Sequence, residues 1–326
     1  MADSVRVKAE DDGQRLDRWL KKYYPDMSFG QMQKILRTGQ VRVDGKRVKG
    51  EARLSTGQEV RIPPQVASPP KDKKSGINEK DAAFIRSLVI YSDEHVIALN
   101  KPQGIAVQGG SKIGKHIDGM LDALKNKADD ERPHLVHRLD KDTSGVLLLA
   151  RSTRAARYLG DMFRGRDIRK YYWAVTAPAP QEEQGKIKSL LAKVGSAGDE
   201  RMQSVQDDSG KPALTFYKVM ERVGNNLAWV AFWPRTGRTH QIRVHATDIG
   251  APLLGDFKYY PPQDFLAENP DLPQGLHLHA RRIVMPHPFK EKMLDITAPL
   301  GPEMRKTFKY FGFNPDDKSD PFDDVE

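Results

Sequence analysis

The strongest constraint on the fold is a charged loop that leads directly into an apolar run. Residues 137–145 have the sequence HRLDKDTSG, and the apolar residues 146–150 (VLLLA) follow without a break. A continuous apolar run bounded by turn-forming residues is typical of a buried strand. Solvated surface loops rarely change character so abruptly. We therefore predict that this loop presents functional groups at the end of a core strand, with Asp140 as the candidate catalytic carboxylate.

The composition indicates a globular protein that stays in the cytoplasm. The 326 residues suffice for two domains, and 38% are hydrophobic while 30% are charged. No apolar stretch approaches the roughly 18–20 residues of a membrane span, and residues 1–5 lack the features of a secretion signal. The absence of cysteine excludes disulfides and cysteine-ligated metal sites.

The distribution of charge predicts a polyanionic partner. The net charge is +9; residues 1–64 carry 14 Lys and Arg against 9 Asp and Glu, whereas residues 315–326 carry six acids and one lysine. A basic body with an acidic tail most often binds nucleic acid. A merely basic enzyme is the alternative.

The first 64 residues have the pattern of a small α+β module. Apolar spacing predicts a helix over residues 15–20, and Ser28 is a suitable N-cap for a second helix over residues 29–37. The alternating residues 41–43 precede Asp44-Gly45, a hairpin signal, and residues 47–49 and 59–62 supply further short strands.

A proline- and lysine-rich stretch separates this module from the rest of the chain. We predict domains at residues 1–64 and 82–314, a linker at 65–81, and an acidic tail at 315–326. In the larger domain, strands outnumber helices without a regular βαβ alternation. The chain is therefore predicted to be α+β, with a mixed and mostly antiparallel sheet.

Two further segments of the larger domain have functional patterns. Residues 100–110 contain three glycines after a strand but lack the spacing of a nucleotide-binding P-loop. In residues 235–245, Thr239 could cap a helix on which His240, Arg243 and Thr247 share one face. Such a basic face suits a buried carboxylate or a phosphate, and equally suits solvent.

The N-terminal module resembles the S4 domain, a small RNA-binding unit. The resemblance rests on Arg15-Leu16-Asp17, Ser28, Gln33-Lys34, Gly39, residues 41–45 and residues 59–62. It implies a face that contacts phosphates. The candidate residues for these contacts are Arg18, Lys34, Arg37 and Arg42.

The larger domain resembles the pseudouridine synthases, in the branch that modifies large-subunit ribosomal RNA, and most of all the RluC type. The family pattern HRLDxxTSG stands at residues 137–145, and TGRTHQIRVH with its following Gly, Pro and Gly-Asp stands at residues 236–259. Lys101-Pro102 with Gly104, and Leu278-His279-Ala280, also match. With the S4-like module, the resemblance covers about residues 10–310.

The resemblance implies roles for individual residues. Asp140 corresponds to the catalytic aspartate, Arg243 to its arginine partner, and Tyr172 to the tyrosine that stacks on the uracil, although Tyr171 stands beside it. In substrate binding, Arg138 corresponds to the arginine that fills the gap left by a flipped-out base. His137 and Leu278 are also assigned to substrate binding, Leu278 as an apolar residue of the pocket.

The implied reaction detaches uracil from ribose at N1 and reattaches it through C5. It needs no metal or other cofactor, and Asp140 could act as a nucleophile or as a base. The expected substrate is 23S ribosomal RNA or a pre-ribosomal particle, with no membrane partner, and the protein is expected to be a monomer.

Three other functions compete with this one. Asp140-Lys141-Asp142-Thr143 satisfies the DxDxT string of phosphohydrolases of the haloacid-dehalogenase type, but there the apolar strand precedes the motif. A non-catalytic RNA-binding protein would use only the S4-like module. Histidines could also form a metal site, for which the candidates are His134, His137, His277, His279 and His287.

Overall fold

The computed structural model divides the chain into two compact units, Met1–Gly76 and Ile77–Glu326. It describes residues 3–25, 27, 29–63, 77–109, 114–127, 129–165, 168–196, 200–260, 264–323 and 325. Ser28, most of the predicted linker and Gly110 lie outside the described residues.

The first unit packs two helices on a small sheet. Its elements are β1 (Asp3–Arg6), a 3-10 turn (Ala9–Asp11), α1 (Leu16–Tyr23), α2 (Phe29–Arg37), β2 (Arg42–Val43), β3 (Lys46–Arg47) and β4 (Glu59–Ile62). The strands run in the order β1-β4-β2-β3. Asp44 and Gly45 both have positive φ, at 47° and 75°, which matches the tight turn predicted between β2 and β3. The predicted second helix coincides with α2.

The second unit contains the remaining elements. These are α3 (Glu79–Ser87), β5 (Val89–Ser92), β6 (Val96–Lys101), a 3-10 helix (Asp118–Leu124), β7 (His134–Leu135), β8 (Ser144–Ala150), α4 (Thr153–Arg164), β9 (Arg169–Thr176), β10 (Gln184–Val194), β11 (Arg201–Val205), β12 (Lys211–Val223), β13 (Leu227–Pro234), α5 (Gln241–Asp248), α6 (Asp264–Glu268), β14 (Leu278–Pro286), β15 (Met293–Thr297) and α7 (Pro302–Phe311).

These strands form one mixed sheet that is mostly antiparallel, as predicted. The order along the sheet is β11-β10-β12-β13-β9-β14-β8-β6-β5, with β15 beside β14 and β7 beside β8. Of the pairings between the strands named above, only that of β14 with β8 is parallel. Strand β14 lies between β8 and β9 and therefore joins the predicted catalytic loop to the strand that carries Tyr172.

Gly145 is required by the close approach of β8 and β14. Its φ is +109°, and a Cβ atom there would lie 2.2 Å from the carbonyl oxygen of Ala280. No side chain fits at this distance. Glycine is therefore required for structural reasons at the last position of the HRLDKDTSG motif, because it lets the loop of Asp140 lie against β14.

The two faces of the sheet carry different layers. Strand β13 is buried on both faces, with Trp229 and Trp233 on what we call the back face and Val230 and Phe232 on the front face. The back face packs on α7 through Phe308. The front face packs on α5, which carries the third predicted segment.

Residues of the predicted acidic tail also pack on the back face. Phe322 is only 1% exposed and lies in the same cluster as Trp233, with their ring centroids 5.7 Å apart. Asp320 accepts a hydrogen bond from the Tyr171 hydroxyl at 3.2 Å. The tail therefore contributes to the core through its aromatic residue.

Several boundaries differ from the sequence-based expectations. The predicted linker ran to residue 81, but α3 begins at Glu79 because the Asn78 side chain caps it by accepting from the Asp81 backbone N–H. Helix α5 begins at Gln241 behind His240, so Thr239 is not its cap. The long strands β10 and β12 were not predicted. No helix among the described residues is both long and apolar enough to cross a membrane.

Candidate active site

A pocket of about 200 Å³ on the front face brings together residues of two of the three predicted segments, 137–145 and 235–245, whereas residues 100–110 do not line it. Its lining includes the predicted residues Arg138, Asp140, Tyr172, Arg243 and Leu278. Arg138 is exposed at the mouth, whereas Leu278 is buried at the wall.

Strand alternation separates the two adjacent tyrosines. Tyr172 pairs with Phe232 across β9 and β13 and faces the pocket, whereas Tyr171 points to the back face and stacks on Phe322 at 5.8 Å. Burial, together with the charge of Asp140, raises the pKa of Tyr172, so its phenol stays neutral. The placement of Tyr172 rather than Tyr171 in the pocket follows from the period of two along a strand.

A buried lysine holds the loop that carries Asp140. Lys101 is fully buried at the end of β6, and its Nζ donates to the carbonyls of Pro102, Ile105 and Lys141 at 2.9, 2.9 and 3.0 Å. Burial lowers the pKa of Lys101 to about 8, while the nearby charges of Asp142 and Asp140 oppose this shift. The match at Lys101-Pro102 was noted in the sequence without a role. The sequence feature that could have suggested this role is the position of Lys101 at the end of an apolar strand.

The direct partner of Arg243 differs from the expectation. Arg243 makes a bidentate pair with Asp256, at 2.8 Å from Nε and 2.5 Å from Nη2, and both side chains are buried. Arg243 therefore does not form the predicted direct ion pair with Asp140. Burial disfavours the charge of Arg243, but Asp256 and, at longer range, Asp140 raise its pKa. Asp256 holds the guanidinium in the wall of the pocket that Asp140 also lines.

His240 is a functional candidate that the sequence analysis placed on a basic helix face without giving it a role of its own. It precedes α5 with φ +52° and ψ +22°, a left-handed conformation that costs a residue with a side chain about 1 kcal/mol or more. The ring lies between two groups: Nδ1 is 2.6 Å from the Tyr259 hydroxyl, and Nε2 is 3.7 Å from Asp140 Oδ2.

The protonation of this histidine follows from its surroundings. Burial lowers the pKa of His240, although the charge of Asp140 opposes the shift. A neutral ring that accepts from the Tyr259 hydroxyl at Nδ1 carries its proton on Nε2, on the side of Asp140. The strained backbone therefore places Nε2 of His240 on the side of the candidate catalytic carboxylate.

His137 does not line the pocket, in contrast to its predicted role in substrate binding. Its Nε2 accepts the backbone N–H of Leu148 at 2.8 Å, and its ring stacks on Phe163 at 4.4 Å. Burial lowers the pKa of His137 to about 3, and the charge of Lys170 adds to this effect. His137 fixes the loop to the middle of β8.

The other candidate carboxylate and the histidines do not form a second site. Asp142 is exposed and lies outside the pocket lining, so the two aspartates of the DxDxT string do not share one cavity. In the part of the chain that the structure describes, no three histidine or acidic side chains group as a metal site.

The first unit has a basic groove between α2 and the segment after β3. Lys34 and Arg37 line it, as do Arg47 and Lys49, which the sequence did not single out. The predicted Arg18 and Arg42 lie outside this lining, and Arg42 donates to the carbonyl of Gly45 in its own hairpin at 3.1 Å. All four groove cations are exposed, and none forms an ion pair with a described acid.

Comparison with known proteins gives consistent results for both units. Residues 95–248 match the family described as RNA pseudouridylate synthase, and residues 14–60 match the S4 domain. A human structure, RNA Pseudouridylate Synthase Domain Containing 4, superposes with a TM-score of 0.60 at 26% identity, covering 71% of this chain and 96% of that one.

Curated relatives match over most of their length. The protein named ribosomal large subunit pseudouridine synthase C of Rickettsia bellii (strain RML369-C) is 35% identical over 88% of this chain and 94% of its own. Proteins of the same name from Vibrio vulnificus (strain CMCP6) and Escherichia coli (strain K12) are 37% and 35% identical, each over 93% of this chain and 94% of their own. Together with the pocket described above, these matches show that the chain belongs to the RNA pseudouridylate synthase family and carries an S4 domain.

Proposed function

We propose that this protein isomerises uridine to pseudouridine in the 23S RNA of the large ribosomal subunit, with Asp140 as the catalytic carboxylate. The observation that carries the proposal is the pocket in which Asp140 faces Tyr172, Arg138 and Leu278. The names of the curated relatives support ribosomal RNA as the substrate.

The geometry supports a flipped-out base as the form in which the uridine binds. Tyr172 offers an aromatic face and Leu278 an apolar wall inside the pocket. Arg138 is exposed at the mouth, where its planar guanidinium can occupy the stack that the base leaves. Stacking offsets the few kcal/mol that extrusion costs.

The chemistry breaks the C1′–N1 bond and forms a C1′–C5 bond, and C5 then loses its proton. Asp140 can attack the sugar or the base, or remove a ribose proton; Arg243 lines the same pocket, and His240 Nε2 lies 3.7 Å from Asp140 Oδ2. A primary deuterium isotope effect at the ribose C2′ would identify the route through a ribose proton; its absence would favour nucleophilic attack.

The decisive experiment maps pseudouridine in large-subunit ribosomal RNA with and without the protein. The wild type should modify at least one uridine, and Asp140→Asn, nearly identical in size, should modify none. Asp142→Asn is the matched control and should retain activity. An Asp140→Asn variant that still modifies the same positions would overturn the assignment.

We further propose that the S4 groove contacts RNA phosphates through Lys34 and Arg37. Each lost phosphate contact should reduce the slope of log Kd against log salt by about 0.7 to 0.9. The double variant Lys34→Gln/Arg37→Gln should show this loss, and Arg18→Gln, outside the groove, should show less. An equal loss in both would place the contacts elsewhere on the module.

We also propose that the protein acts as a cytoplasmic monomer on 23S RNA or a pre-ribosomal particle. The basic, cysteine-free composition supports this location and partner. Light scattering of the purified protein, with and without an RNA transcript, tests the monomer directly.

A further inference from the structure

Arg238 lies at the mouth of the pocket of Asp140 and has no role in the function proposed above. Its side chain is exposed and lines the same pocket as Asp140 and Tyr172. Its Nε donates to the carbonyl of Pro212 at 3.1 Å. Neither terminal nitrogen of the guanidinium forms a hydrogen bond or an ion pair with a residue that the structure describes. Within that part of the chain, Arg238 is therefore a cation without a counter-ion at the entrance to the site.

Hydrogen bonds to the backbone and to the side chain fix the position of Arg238. The buried Gln241 accepts the Arg238 backbone N–H at 3.0 Å and the Thr236 hydroxyl at 2.7 Å through its Oε1. Thr236 Oγ1 in turn accepts the backbone N–H of Leu214 on β12 at 3.0 Å. Ordering a long side chain costs conformational entropy, and one hydrogen bond at the surface returns little of it. The arrangement suits a guanidinium that is preorganised for a ligand.

The free edge of this guanidinium suits a phosphate group. Its two terminal nitrogens can donate in parallel to two oxygens of one phosphate. A nucleotide whose base lies against Tyr172 has its phosphodiester groups outside the pocket, because the ribose separates the base from the phosphates. The mouth of the pocket, where Arg238 stands, is therefore the place where such a group would lie.

We propose that Arg238 binds a phosphodiester group adjacent to the target uridine and thereby fixes the ribose relative to Asp140. This inference rests on the proposed function, because the same nucleotide must place its base on Tyr172. Arg238 is a substrate-binding residue in this proposal and takes no part in breaking or forming bonds. Because it contacts the RNA backbone and not a base edge, it contributes to binding without selecting a sequence.

The surface next to Arg238 provides a path for the strand beyond the pocket. Thr236 lines both the pocket and a groove over β10 and β12. Pro212, which holds Arg238, lines the same groove, and Lys186 and Lys188 are exposed in it. Positively charged grooves of this kind follow the backbone of single-stranded RNA. A strand that passes Arg238 as it leaves the pocket therefore continues over a cationic surface.

The first test compares Arg238→Gln with Arg238→Lys and with Arg157→Gln, the change of an exposed arginine on α4 outside the pocket lining. The probe is a transcript of large-subunit ribosomal RNA, with Kd measured over a range of salt concentrations. We expect Arg238→Gln to weaken binding about tenfold at low salt and to reduce the salt slope by about 0.7 to 0.9. An unchanged Kd and salt slope in this variant would overturn the proposal.

The other two variants show whether the charge and its geometry both matter. Arg238→Lys should keep the salt slope because it keeps the charge, but it should bind more weakly than the wild type, since an ammonium group cannot donate as a fork. Arg157→Gln should bind as the wild type does. A loss in Arg157→Gln equal to that in Arg238→Gln would mean that any arginine at the surface has this effect, and the proposal would be wrong.

A neutral linkage in the RNA locates the contact. In an oligonucleotide that contains a uridine found to be modified, a methylphosphonate replaces the phosphodiester on the 5′ or the 3′ side of that uridine. At one of these two positions, the wild type should lose as much affinity as Arg238→Gln loses on the unaltered strand, and Arg238→Gln should lose nothing further. Independent losses at both positions would overturn the proposal, because Arg238 would then contact another phosphate or a base.

Thermal unfolding separates binding from a structural role. Since Arg238 is exposed, Arg238→Gln should keep the Tm of the wild type. A lower Tm together with an unchanged KM and salt slope would mean that Arg238 only holds the turn at Pro212, and the proposal would fail.

The same measurements distinguish failure of this site from failure of the proposed function. If the wild type forms pseudouridine while Arg238→Gln keeps its KM and salt slope, only the phosphate site is wrong. If the wild type forms no pseudouridine, the proposed reaction is wrong, and the salt slope on the transcript still decides whether Arg238 contacts a phosphate.

Discussion

Tyr171 and Tyr172 are adjacent and chemically identical, yet they belong to different parts of the molecule. Tyr171 is 2% exposed on the back face between Trp233 and Phe322, and its hydroxyl donates to Asp320. Tyr172 lines the pocket of Asp140. The back face consists of interlocking aromatic rings, whereas the front pocket combines charges, a strained residue and cavity space. The difference indicates that stability is concentrated on one side of β9 and the candidate chemistry on the other.

The largest expected effect is found by comparing the variant that lacks the Tyr171 ring with the variant that lacks the Tyr172 ring. Tyr171→Ala should lower the free energy of unfolding by about 3 to 5 kcal/mol, because it empties a closely packed site. Tyr172→Ala should change it much less but reduce pseudouridine formation by about 10- to 100-fold, the value of one stacked base. Urea denaturation and release of tritium from C5-labelled uridine measure the two quantities. Loss of stability in Tyr172→Ala equal to that in Tyr171→Ala would contradict the comparison.

Removal of the buried ion pair between Arg243 and Asp256 tests whether the front face also contributes to the stability of the fold. Asp256→Asn should lower the free energy of unfolding by about 3 kcal/mol, because Arg243 would remain buried without its carboxylate. The control is Asp295→Asn, whose pair with Arg282 at 2.6 Å is partly exposed and should contribute less than about 1 kcal/mol. Urea denaturation of both variants gives the difference. Equal costs would mean that burial does not distinguish the two pairs.

A pH series examines a buried histidine away from the pocket. Burial lowers the pKa of His277 to about 4, against about 6.5 in an unfolded chain, so the folded state binds its proton less tightly. The stability is therefore complete above pH 6.5 and decreases as the pH falls toward 4. Between pH 7 and pH 5 the loss from this residue should be about 2 kcal/mol. His277→Gln should reduce that loss in urea denaturation; an identical loss would assign it to other groups.

The smallest expected effect is a difference in stability between two variants of His240, which measures the strain of its backbone. With φ at +52°, glycine should be more stable here than alanine by about 1 kcal/mol, the reverse of their order inside a helix. Both His240→Gly and His240→Ala should lose activity, because both lack the ring beside Asp140. Their relative stability by urea denaturation is the readout. An alanine variant as stable as the glycine variant would show that the backbone relaxes when the ring is removed.

Local patterns predicted much of the fold. Helix α2, the hairpin at Asp44-Gly45 and the buried strand β8 follow from periodicity and turn chemistry that act within a few residues. The tail was predicted only by its charge, because the burial of Phe322 depends on the distant Trp233. The strands β10 and β12 were missed although polar and apolar residues alternate along parts of them, as at Lys186-Ile187-Lys188.

In the candidate site, too, contacts between residues distant in the sequence could not be predicted from local patterns. The residues Asp140, Tyr172 and Arg243 were found through ordered motifs, and strand alternation then distinguishes Tyr172 from Tyr171. The contact of Arg243 with Asp256 could not be derived, because an arginine near two carboxylates can pair with either. The role of His240 depends on a positive φ that no local pattern requires.

The position of β14 between β8 and β9 also has a consequence for the time course of folding. The hydrogen bond between Ser144 Oγ and His279 Nδ1 joins residues 135 positions apart. Until the segment of β14 arrives, β8 and β9 have no common neighbour, and the pocket has no Leu278 wall. Closure of so long a loop before its contacts form is slow. We therefore expect the S4 unit, whose strand pairs are closer in sequence, to refold before the catalytic pocket does.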